Sequence, residues 1–566
     1  MARFTDTINV YTPKSIVKED LQNDVNIPVQ SVVKENLTTE HKEVVASGYS
    51  YGGASYSKNA FKGFTAESIN PKLDIDFNNQ ELRSRSRILC MTSPIATSAI
   101  RTLRTNVVGV GIIPKPRLDT DVLKLDPEVA FDIQKQIERE WNLWANDKHN
   151  CDATGVNNFY AMQQLAYTSY RTSGDCFVLF KWEENRKSPY SLKLHILEAD
   201  RISTPSQYPQ NYVVKNFSII EGVNPNNNNP IYDGVEVDKN TGKIVAYWVC
   251  DIYPNDYTNI YARNWVRVEA TGQETGLPNI LQLMESERPE QYRGVALLAP
   301  VMERILQINR YSESVVATAV LHAKQTMIIE KIADPTMSPW GENGKNGKAL
   351  PTTRAKDVAI GNGAVTVLKA GEKMNAFKPE QPTTTYESFI KTSGMEIGAG
   401  LEIPRGQLLK EFNSSYSATR GELLEFHKYI KMNQQWFVDD FCKPIYERWF
   451  TEAVARGRIK APKYFTDPVI RQAYLNCEWI VPSFGQIDPT KEVQALEIAV
   501  RNGWTTNEAS ARQYNGSDFY HNAMQLQRER EVMPKQEVST IPQNTVDNSQ
   551  ENVEENTNEN EVKNDE

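Results

Sequence analysis

The chain has 566 residues, of which 40% are hydrophobic and 10% aromatic, so it is long enough for several domains with sizeable cores. The formal net charge is −9, but residues 537–566 alone hold nine acidic side chains against one lysine. The rest of the chain is therefore near neutral, which argues against a broad basic face that grips nucleic acid. No apolar run is long enough to span a membrane, so a soluble protein is expected.

The first half of the sequence predicts an α+β region. Residues 1–78 lack periodicity and are predicted to form a poorly ordered arm. A helix is predicted from Asn79, with an interruption at Pro94, and helices also at 127–146 and 158–174. The predicted strands follow as a set: 108–116, 175–182, 192–202 and a hairpin over 234–250.

A long helix is predicted over 300–331, because Pro300 suits a first helical turn and a wide apolar stripe follows it. The stripe contains the candidate subunit-contact residues Ile305, Ile308, Val315, Val316, Ala319 and Val320. Two interpretations stay open from the pattern alone. The helix packs between neighbouring subunits of a ring, or it is a central core helix within one subunit.

The second half of the sequence alternates helices with irregular segments. A Gly-, Pro- and Lys-rich insert with short strands is predicted over 332–383, followed by a helix over 384–400. A loop-rich bridge is predicted at 401–419, then a long helix from Arg420 to Arg456 with a bend near Pro444. A pair of helices is predicted within 488–535, and the Asn/Glu-rich residues 536–566 are predicted to be disordered.

Enzymatic chemistry has little support in the sequence. Phosphate-binding GxxxxGK[ST] and HExxH patterns are absent, and the six cysteines form no CxxC pair, so no cofactor, metal site or catalytic residue is predicted. Glu198 and Asp200 form a carboxylate pair that a metal-dependent nuclease could use, although such pairs are also common polar strand ends. A local arginine cluster is interpreted as solvated or subunit-contacting faces rather than a weak phosphate contact: Arg83, Arg85, Arg87, Arg101 and Arg104.

The order of several segments over about 80–530 resembles the lambda-type portal proteins of tailed bacteriophages. The matching stretches include TSGDCFV, GVEVDKNTGKIVAYWV, RPEQYRGVALLAPV, and LEIPRGQLLKEFNSSYSATRGELLEF. Each stretch alone is weakly diagnostic, but their shared order along the chain is specific.

The resemblance implies an α+β portal fold that assembles as a ring, usually of twelve subunits. It implies an α/β wing over 79–299 that continues in 420–487, and a helical stem made of 300–331 and 384–400. A small clip would occupy 332–383, a tunnel loop 401–419 and a helical crown 488–535.

The resemblance also implies a structural protein that is no enzyme and forms the channel for double-stranded DNA at one capsid vertex. Its implied partners are copies of itself, major capsid and scaffold proteins, the terminase large subunit and the head–tail connector. Its implied location is the virion, and the host cytoplasm during assembly. The implied tunnel residues are Arg405, Lys410, Asn413, Ser414, Ser415 and Tyr416. The implied terminase-docking residues of the clip are Trp340, Lys345, Lys348 and Arg354. The alternatives are a metal-dependent nuclease and another capsid or head-completion protein.

Overall fold

A computed structural model of the chain describes residues 53–55, 58–64, 66, 68–184, 188–206, 209–214, 217–254, 263–323, 327–331, 372–376, 386–411, 415–483 and 489–532. The chain divides into two units, Met1–Ser68 and Ile69–Glu566. The described part of the first unit holds one short 3-10 turn, Asn59–Phe61. The predicted 332–383 insert lies outside the described residues except for 372–376, and so does the predicted tail.

The second unit contains these helices: α1 (Pro71–Thr92), α2 (Pro94–Val107), α3 (Thr120–Leu123), α4 (Pro127–Ala145), α5 (Lys148–Cys151), α6 (Phe159–Ser173), α7 (Met302–Ala323), α8 (Tyr386–Gly400), α9 (Arg405–Leu409), α10 (Tyr416–Phe437), α11 (Lys443–Ala455), α12 (Pro468–Leu475), α13 (Pro489–Arg501), α14 (Asn507–Asn515) and α15 (Phe519–Val532).

Its strands are β1 (Ile113–Pro116), β2 (Asp175–Trp182), β3 (Leu192–Glu198), β4 (Pro209–Val214), β5 (Phe217–Val223), β6 (Pro230–Tyr232), β7 (Val235–Val237), β8 (Ile244–Cys250), β9 (Trp265–Glu269), β10 (Ile280–Met284), β11 (Met327–Lys331), β12 (Glu372–Ala376) and β13 (Cys477–Ile480). They form a six-stranded meander β4-β5-β6-β7-β8-β9, a three-stranded sheet β10-β2-β3, and the antiparallel ribbons β1-β13 and β11-β12.

The three-stranded sheet is a middle layer, and β2 shows why. Successive side chains of a strand point to opposite faces. Cys176, Val178 and Phe180 of β2 belong to the large core formed with the helices. Phe177 belongs instead to a smaller core that packs this sheet against residues of the six-stranded sheet, such as Tyr247. The strand is therefore buried on both faces, which explains its nearly continuous apolar sequence.

The large core is centred on an aromatic cluster that joins distant parts of the chain. The Trp141 ring lies 5.1 Å from Trp144, 5.0 Å from Phe159 and 5.0 Å from Trp449, centroid to centroid. Tyr446 is a further neighbour at 5.5 Å. Because α11 supplies Trp449 and Tyr446, the segment after residue 416 packs into the same core as α4 and α6.

Two predicted helix starts were too late. The first helix begins at Pro71 rather than Asn79, because the Asn70 side chain accepts a hydrogen bond from the Leu73 N–H at 3.0 Å and proline suits the first turn. The helix α10 begins at Tyr416 rather than Arg420, because Ser415 caps it through the Ala418 N–H. In both cases the polar capping residue lies upstream of the first apolar repeat that guided the prediction.

The prediction of one long helix over 300–331 was wrong for the last turns of that range. A 3-10 turn, Ala299–Val301, leads into α7, which ends at Ala323. Residues 327–331 form β11 and pair with β12, with Ile328 opposite Asn375. Met-Ile-Ile is compatible with either structure by periodicity, and the β-branched isoleucines suit a strand once a partner strand is available.

The bend predicted near Pro444 is a π-helical turn, Val438–Cys442, placed between α10 and α11. Proline cannot donate to the carbonyl four residues earlier, and widening the preceding turn accommodates this while both helices continue. The C-terminal segment contains three helices, α13, α14 and α15, where a pair was predicted.

Candidate functional site

The junction between the sheets and α7 is built around one buried arginine. Arg293 and Asp175 are both 0% exposed, and the guanidinium binds the carboxylate through Nε at 2.5 Å and through a second nitrogen at 3.1 Å. The same guanidinium donates to the main-chain carbonyls of Ala199 at 2.9 Å and Ile202 at 3.1 Å. Arg293 thus ties β2, the turn after β3 and the segment entering α7 into one unit.

Further charges surround this pair. Arg83 of α1 lies 3.6 Å from Asp175 and 3.3 Å from Asp233. Burial would raise the pKa of Asp175, but Arg293 and Arg83 hold it below its ordinary value. Asp76 of α1 behaves oppositely, because burial and the nearby Asp233 raise its pKa to about 7 against the opposing effect of Arg293, Lys72 and Arg83.

The main chain itself is in contact at this junction. A Cβ added to Gly294 would lie 2.0 Å from the carbonyl oxygen of Gly174, and one added to Gly174 would lie 2.5 Å from the carbonyl oxygen of Gly294. Gly174 also has a φ of +92°, which favours glycine. The Arg-Gly dipeptide before α7 and the Ser-Gly dipeptide before β2 therefore cross at backbone contact distance.

The predicted nuclease carboxylates are engaged in ion pairs. Arg87 forms an ion pair with Asp200 and lies 3.6 Å from Glu198, which also accepts a hydrogen bond from the Tyr253 hydroxyl at 3.0 Å. A carboxylate pair held by an arginine is a poor ligand set for a divalent cation. Among the described residues, no group of three or more His, Cys, Asp or Glu side chains is arranged to hold a metal ion.

The same contacts correct the interpretation of the arginine cluster. Arg83 is buried, and Arg87 is paired with Glu198 at the end of β3 and with Asp200 in the turn that follows, so both side chains are engaged within their own chain. Arg85 does face solvent, where it pairs with Glu81 one turn away at 2.8 Å. Arg83 and Arg87 lie one turn apart on the same face of α1, and the sequence alone does not show that this face packs against acidic residues of the sheets.

Helix α7 changes character along its length. Met302, Ile305 and Ile308 are buried in the large core of their own chain. Beyond them no side chain of the described part of the helix is buried, and Val316 and Val320 are 63% and 46% exposed. The interpretation as a core helix therefore applies to the first half, and contact with another subunit stays a prediction for the second half.

The prediction that Ile305 and Ile308 contact another subunit was wrong, because the core of their own chain covers them. Of the remaining candidates, Val315 is half-buried and Ala319 is exposed. The outer half of α7 is thus apolar and accessible.

Helix α8 packs beside α7 and contacts it at several levels. Arg304 and Glu396 form an ion pair at 2.5 Å near the start of α7. Farther out, the Ser312 hydroxyl lies 3.0 Å from the Tyr386 hydroxyl. The Tyr311 ring lies 4.6 Å from that of Phe389. The two helices therefore form an antiparallel pair whose base is fixed in the core.

The segment predicted as a tunnel loop is partly helical and anchored. Its helix α9 packs against α8, and a Cβ on Gly398 would lie 2.5 Å from the Ile403 carbonyl oxygen. The Ser98 hydroxyl of α2 donates to the Leu408 carbonyl at 2.7 Å, and the Lys410 ammonium donates to the Thr102 hydroxyl of α2 at 2.8 Å.

The predicted tunnel residues have different placements. Arg405 begins α9 and is half-buried, Ser415 caps α10, and Tyr416 is the first residue of α10. Asn413 and Ser414 lie outside the described residues, as do the predicted docking residues Trp340, Lys345, Lys348 and Arg354.

Arg293 and Asp175 lie within two of the stretches that carry the family resemblance, but the sequence alone predicts no role for either residue. The available signal was a charged residue next to a glycine in two of the stretches that carry the family resemblance, TSGDCFV and RPEQYRG. Charged side chains adjoining close backbone crossings are candidates for buried pairs.

No helix in the described part of the chain is long and apolar enough to cross a membrane. Among solved structures, a chain from the neck of a native GTA particle computed with C12 symmetry superposes with a TM-score of 0.37 and 12% identity. That match covers 75% of this chain and 91% of the other. At that TM-score the likeness says nothing about assembly.

Sequence comparison carries the family assignment. Portal protein B of Escherichia phage lambda is 23% identical over 500 residues, covering 85% of this chain and 88% of that protein. The portal protein of Escherichia phage N15 is 22% identical over 502 residues, covering 85% and 90%. The family model described as phage portal protein, lambda family, matches residues 57–434. The chain belongs to the lambda family of phage portal proteins, which are structural proteins and not enzymes.

Proposed function

We propose that this portal protein assembles as a ring, of twelve subunits as is usual in the family, and forms the channel through which double-stranded DNA enters and leaves a phage capsid. The observation that supports the ring is the outer half of α7, where the apolar side chains of Val316 and Val320 lie on one helix face and are 63% and 46% exposed. A closed ring uses heterologous contacts that cover such a face in every copy.

In this assignment α7 and α8 are the stem, and the core of β2, β3, β10 and the surrounding helices is the wing. The β11-β12 ribbon and the insert around it form the clip, with Trp340, Lys345, Lys348 and Arg354 as candidate contacts for the terminase large subunit and the head–tail connector. The helices α13, α14 and α15 form the crown. Major capsid and scaffold proteins are the partners at the vertex, which places the protein in the virion, with assembly in the host cytoplasm.

The tunnel assignment for 401–419 gains a physical basis from the anchoring of α9. Because α9 is fixed to α8 and α2, and Ser415 caps α10, regular structure positions Arg405, Ser415 and Tyr416. A ring repeats each polar or basic residue in every subunit, so few are needed for transient phosphate contact. Tight binding would add strongly salt-dependent affinity and slow passage, and the near-neutral body avoids it.

The stem assignment is tested with Val316→Glu and a matched control, Ser314→Glu, on the opposite face of α7. We expect the wild-type chain and Ser314→Glu to form rings with a central opening wide enough for duplex DNA in negative-stain images. Val316→Glu places a charge in the subunit contact and is expected to give monomers with unchanged circular dichroism. Rings formed equally well by all three chains would reject α7 as the contact.

A nuclease remains testable on the same preparations. Incubation of linear duplex DNA with purified rings and Mg²⁺ is expected to leave the DNA intact, since Glu198 and Asp200 are held by Arg87. Cleavage that disappears in Asp200→Asn would contradict the structural role.

A further inference from the structure

The C-terminal helices α13, α14 and α15 differ from the rest of the second unit in how they are held. Within 489–532, Ser510 is the buried residue of the described side chains, and no residue of this segment joins either hydrophobic core. Large apolar side chains instead face solvent here, with Trp504 77% exposed. Among the described residues, buried apolar surface therefore contributes little to holding the C-terminal helices against the rest of the second unit.

Ion pairs instead connect the C-terminal helices to the β1-β13 ribbon. Lys115 of β1 lies 2.5 Å from Asp518, the residue before α15. Arg117, the residue after β1, forms an ion pair with Glu508 of α14. Both cations lie in or next to the ribbon, and both carboxylates lie in the C-terminal segment 489–532.

A third contact runs the other way. Arg512 of α14 forms an ion pair with Glu478 of β13, and Glu478 lies 3.3 Å from Arg117. Arg512 also lies 3.2 Å from Glu508, one turn away. The result is a closed circuit of alternating charge between one ribbon and one helix.

Lys115 adds a further ion pair to the circuit and is itself anchored to the body. Lys115 lies 2.9 Å from Glu138 of α4 as well as near Asp518. Burial alone would lower the pKa of Lys115, but its hydrogen bonds to Asp518 and Glu138 raise it. The side chains of Lys115, Asp518, Glu508 and Arg512 are each about one-fifth exposed, between 19% and 21%, so salt in the solvent reaches the circuit.

We propose that this circuit is an electrostatic latch: Lys115, Arg117 and Glu478 hold α14 and α15 on the body, and the helices are released as a unit when the ion pairs are screened or broken. The body stays folded on release, because its two cores contain nothing from the C-terminal helices. The latch is a property of the single chain and does not depend on the proposed function.

Hydrogen–deuterium exchange of the full-length protein tests the latch. The Debye length falls from about 10 Å at 0.1 M salt to about 3 Å at 1 M. A nine-residue helix such as α14 is marginal without docking. We expect the exchange of amides in α14 to accelerate at least about tenfold between these salt concentrations, while amides of α6 in the large core keep their rate.

Charge variants separate the latch from general effects of salt. Lys115→Asp is expected to accelerate exchange in α14 at 0.1 M salt to the rate that wild type shows at 1 M. Adding Asp518→Lys to that variant places a cation beside the new carboxylate at position 115 and beside Glu138. The double variant is expected to return the rate to within about twofold of wild type. The control is Lys428→Asp, which reverses an exposed lysine on α10 that pairs with Glu425 of the same helix.

Two outcomes would overturn the proposal. Exchange in α14 that ignores both salt and Lys115→Asp would show that other contacts hold the helix. Acceleration in α6 as large as that in α14 would show that Lys115 supports the fold of the body and that no separate unit is released.

Discussion

Replacing Arg293 with methionine isolates the junction between the sheets and α7. Methionine fills much of the same volume but removes the two charge-assisted bonds to Asp175, which is 0% exposed. An uncompensated buried charge costs about 3–5 kcal/mol. Arg83 remains 3.6 Å from Asp175, which favours the lower end, about 3 kcal/mol. For a unit that spans Ile69–Glu566, an unfolding entropy of about 2.1 cal/mol/K per residue sums to about 1 kcal/mol/K, so the unfolding midpoint is expected to fall by about 3 °C.

Thermal unfolding followed by circular dichroism provides the measurement, with Arg85→Met as the control. Arg85 lies on the same helix as Arg83 but pairs with Glu81 at the surface, and its removal is expected to change stability by less than about 0.5 kcal/mol. The loss in Arg293→Met is expected to shrink at low pH, where Asp175 can be protonated, and in the double variant with Asp175→Asn. Equal midpoints for Arg293→Met and Arg85→Met would refute the claim that the buried pair holds the junction.

Three further predictions concern the same region and the core. Gly294→Ala places a methyl group 2.0 Å from the Gly174 carbonyl oxygen and is expected to lower stability by about 3 kcal/mol in urea unfolding, with an unchanged midpoint as the contradicting result. Burial and Asp233 raise the pKa of Asp76 to about 7, so folding takes up a proton and the free energy of unfolding is expected to fall as pH rises from about 4 to about 7. Asp76→Asn should flatten that pH dependence. A pH dependence identical to that of wild type would exclude Asp76 as its source. Trp144→Phe removes a hydrogen bond of 2.9 Å from the indole N–H to a main-chain carbonyl of β3 and should cost about 1–3 kcal/mol, measured by the same unfolding experiment.

Elements with a strong local pattern were predicted well. The predicted bounds of β2 match the observed ones, and those of α4 and α6 match within one residue at each end. In these segments the burial pattern and the stop signals, such as Gly174 after α6, lie within or next to the segment itself.

Features decided by distant partners were missed. The end of α7 depends on β12, which follows β11 only after a long insert. Arg83 appeared to be one member of a basic surface cluster, since its buried partners Asp175 and Asp233 lie far away in sequence. A single sequence shows the charge of such a residue but not the opposite charge that the fold brings to it.

The family resemblance predicted a stem and a tunnel loop, which stay predictions, but not the buried pair of Arg293 and Asp175. The resemblance placed a stem around 300–331, but only burial distinguishes Ile305, which serves the core, from Val316, which is accessible. Likewise, Lys410 was predicted to line the tunnel. Its hydrogen bond to the Thr102 hydroxyl could not be predicted without knowing where α2 lies.

The crossing of Gly174 and Gly294 has a mechanical consequence. Where side chains separate two elements, rotation of their torsion angles allows the elements to shift relative to each other. Here the peptide planes touch directly, and Arg293 fastens the crossing from the neighbouring position. A displacement of α7 is therefore expected to be transmitted to β2 with little local deformation. In the proposed ring, a movement of α7 would therefore displace the three-stranded sheet instead of being absorbed at the crossing.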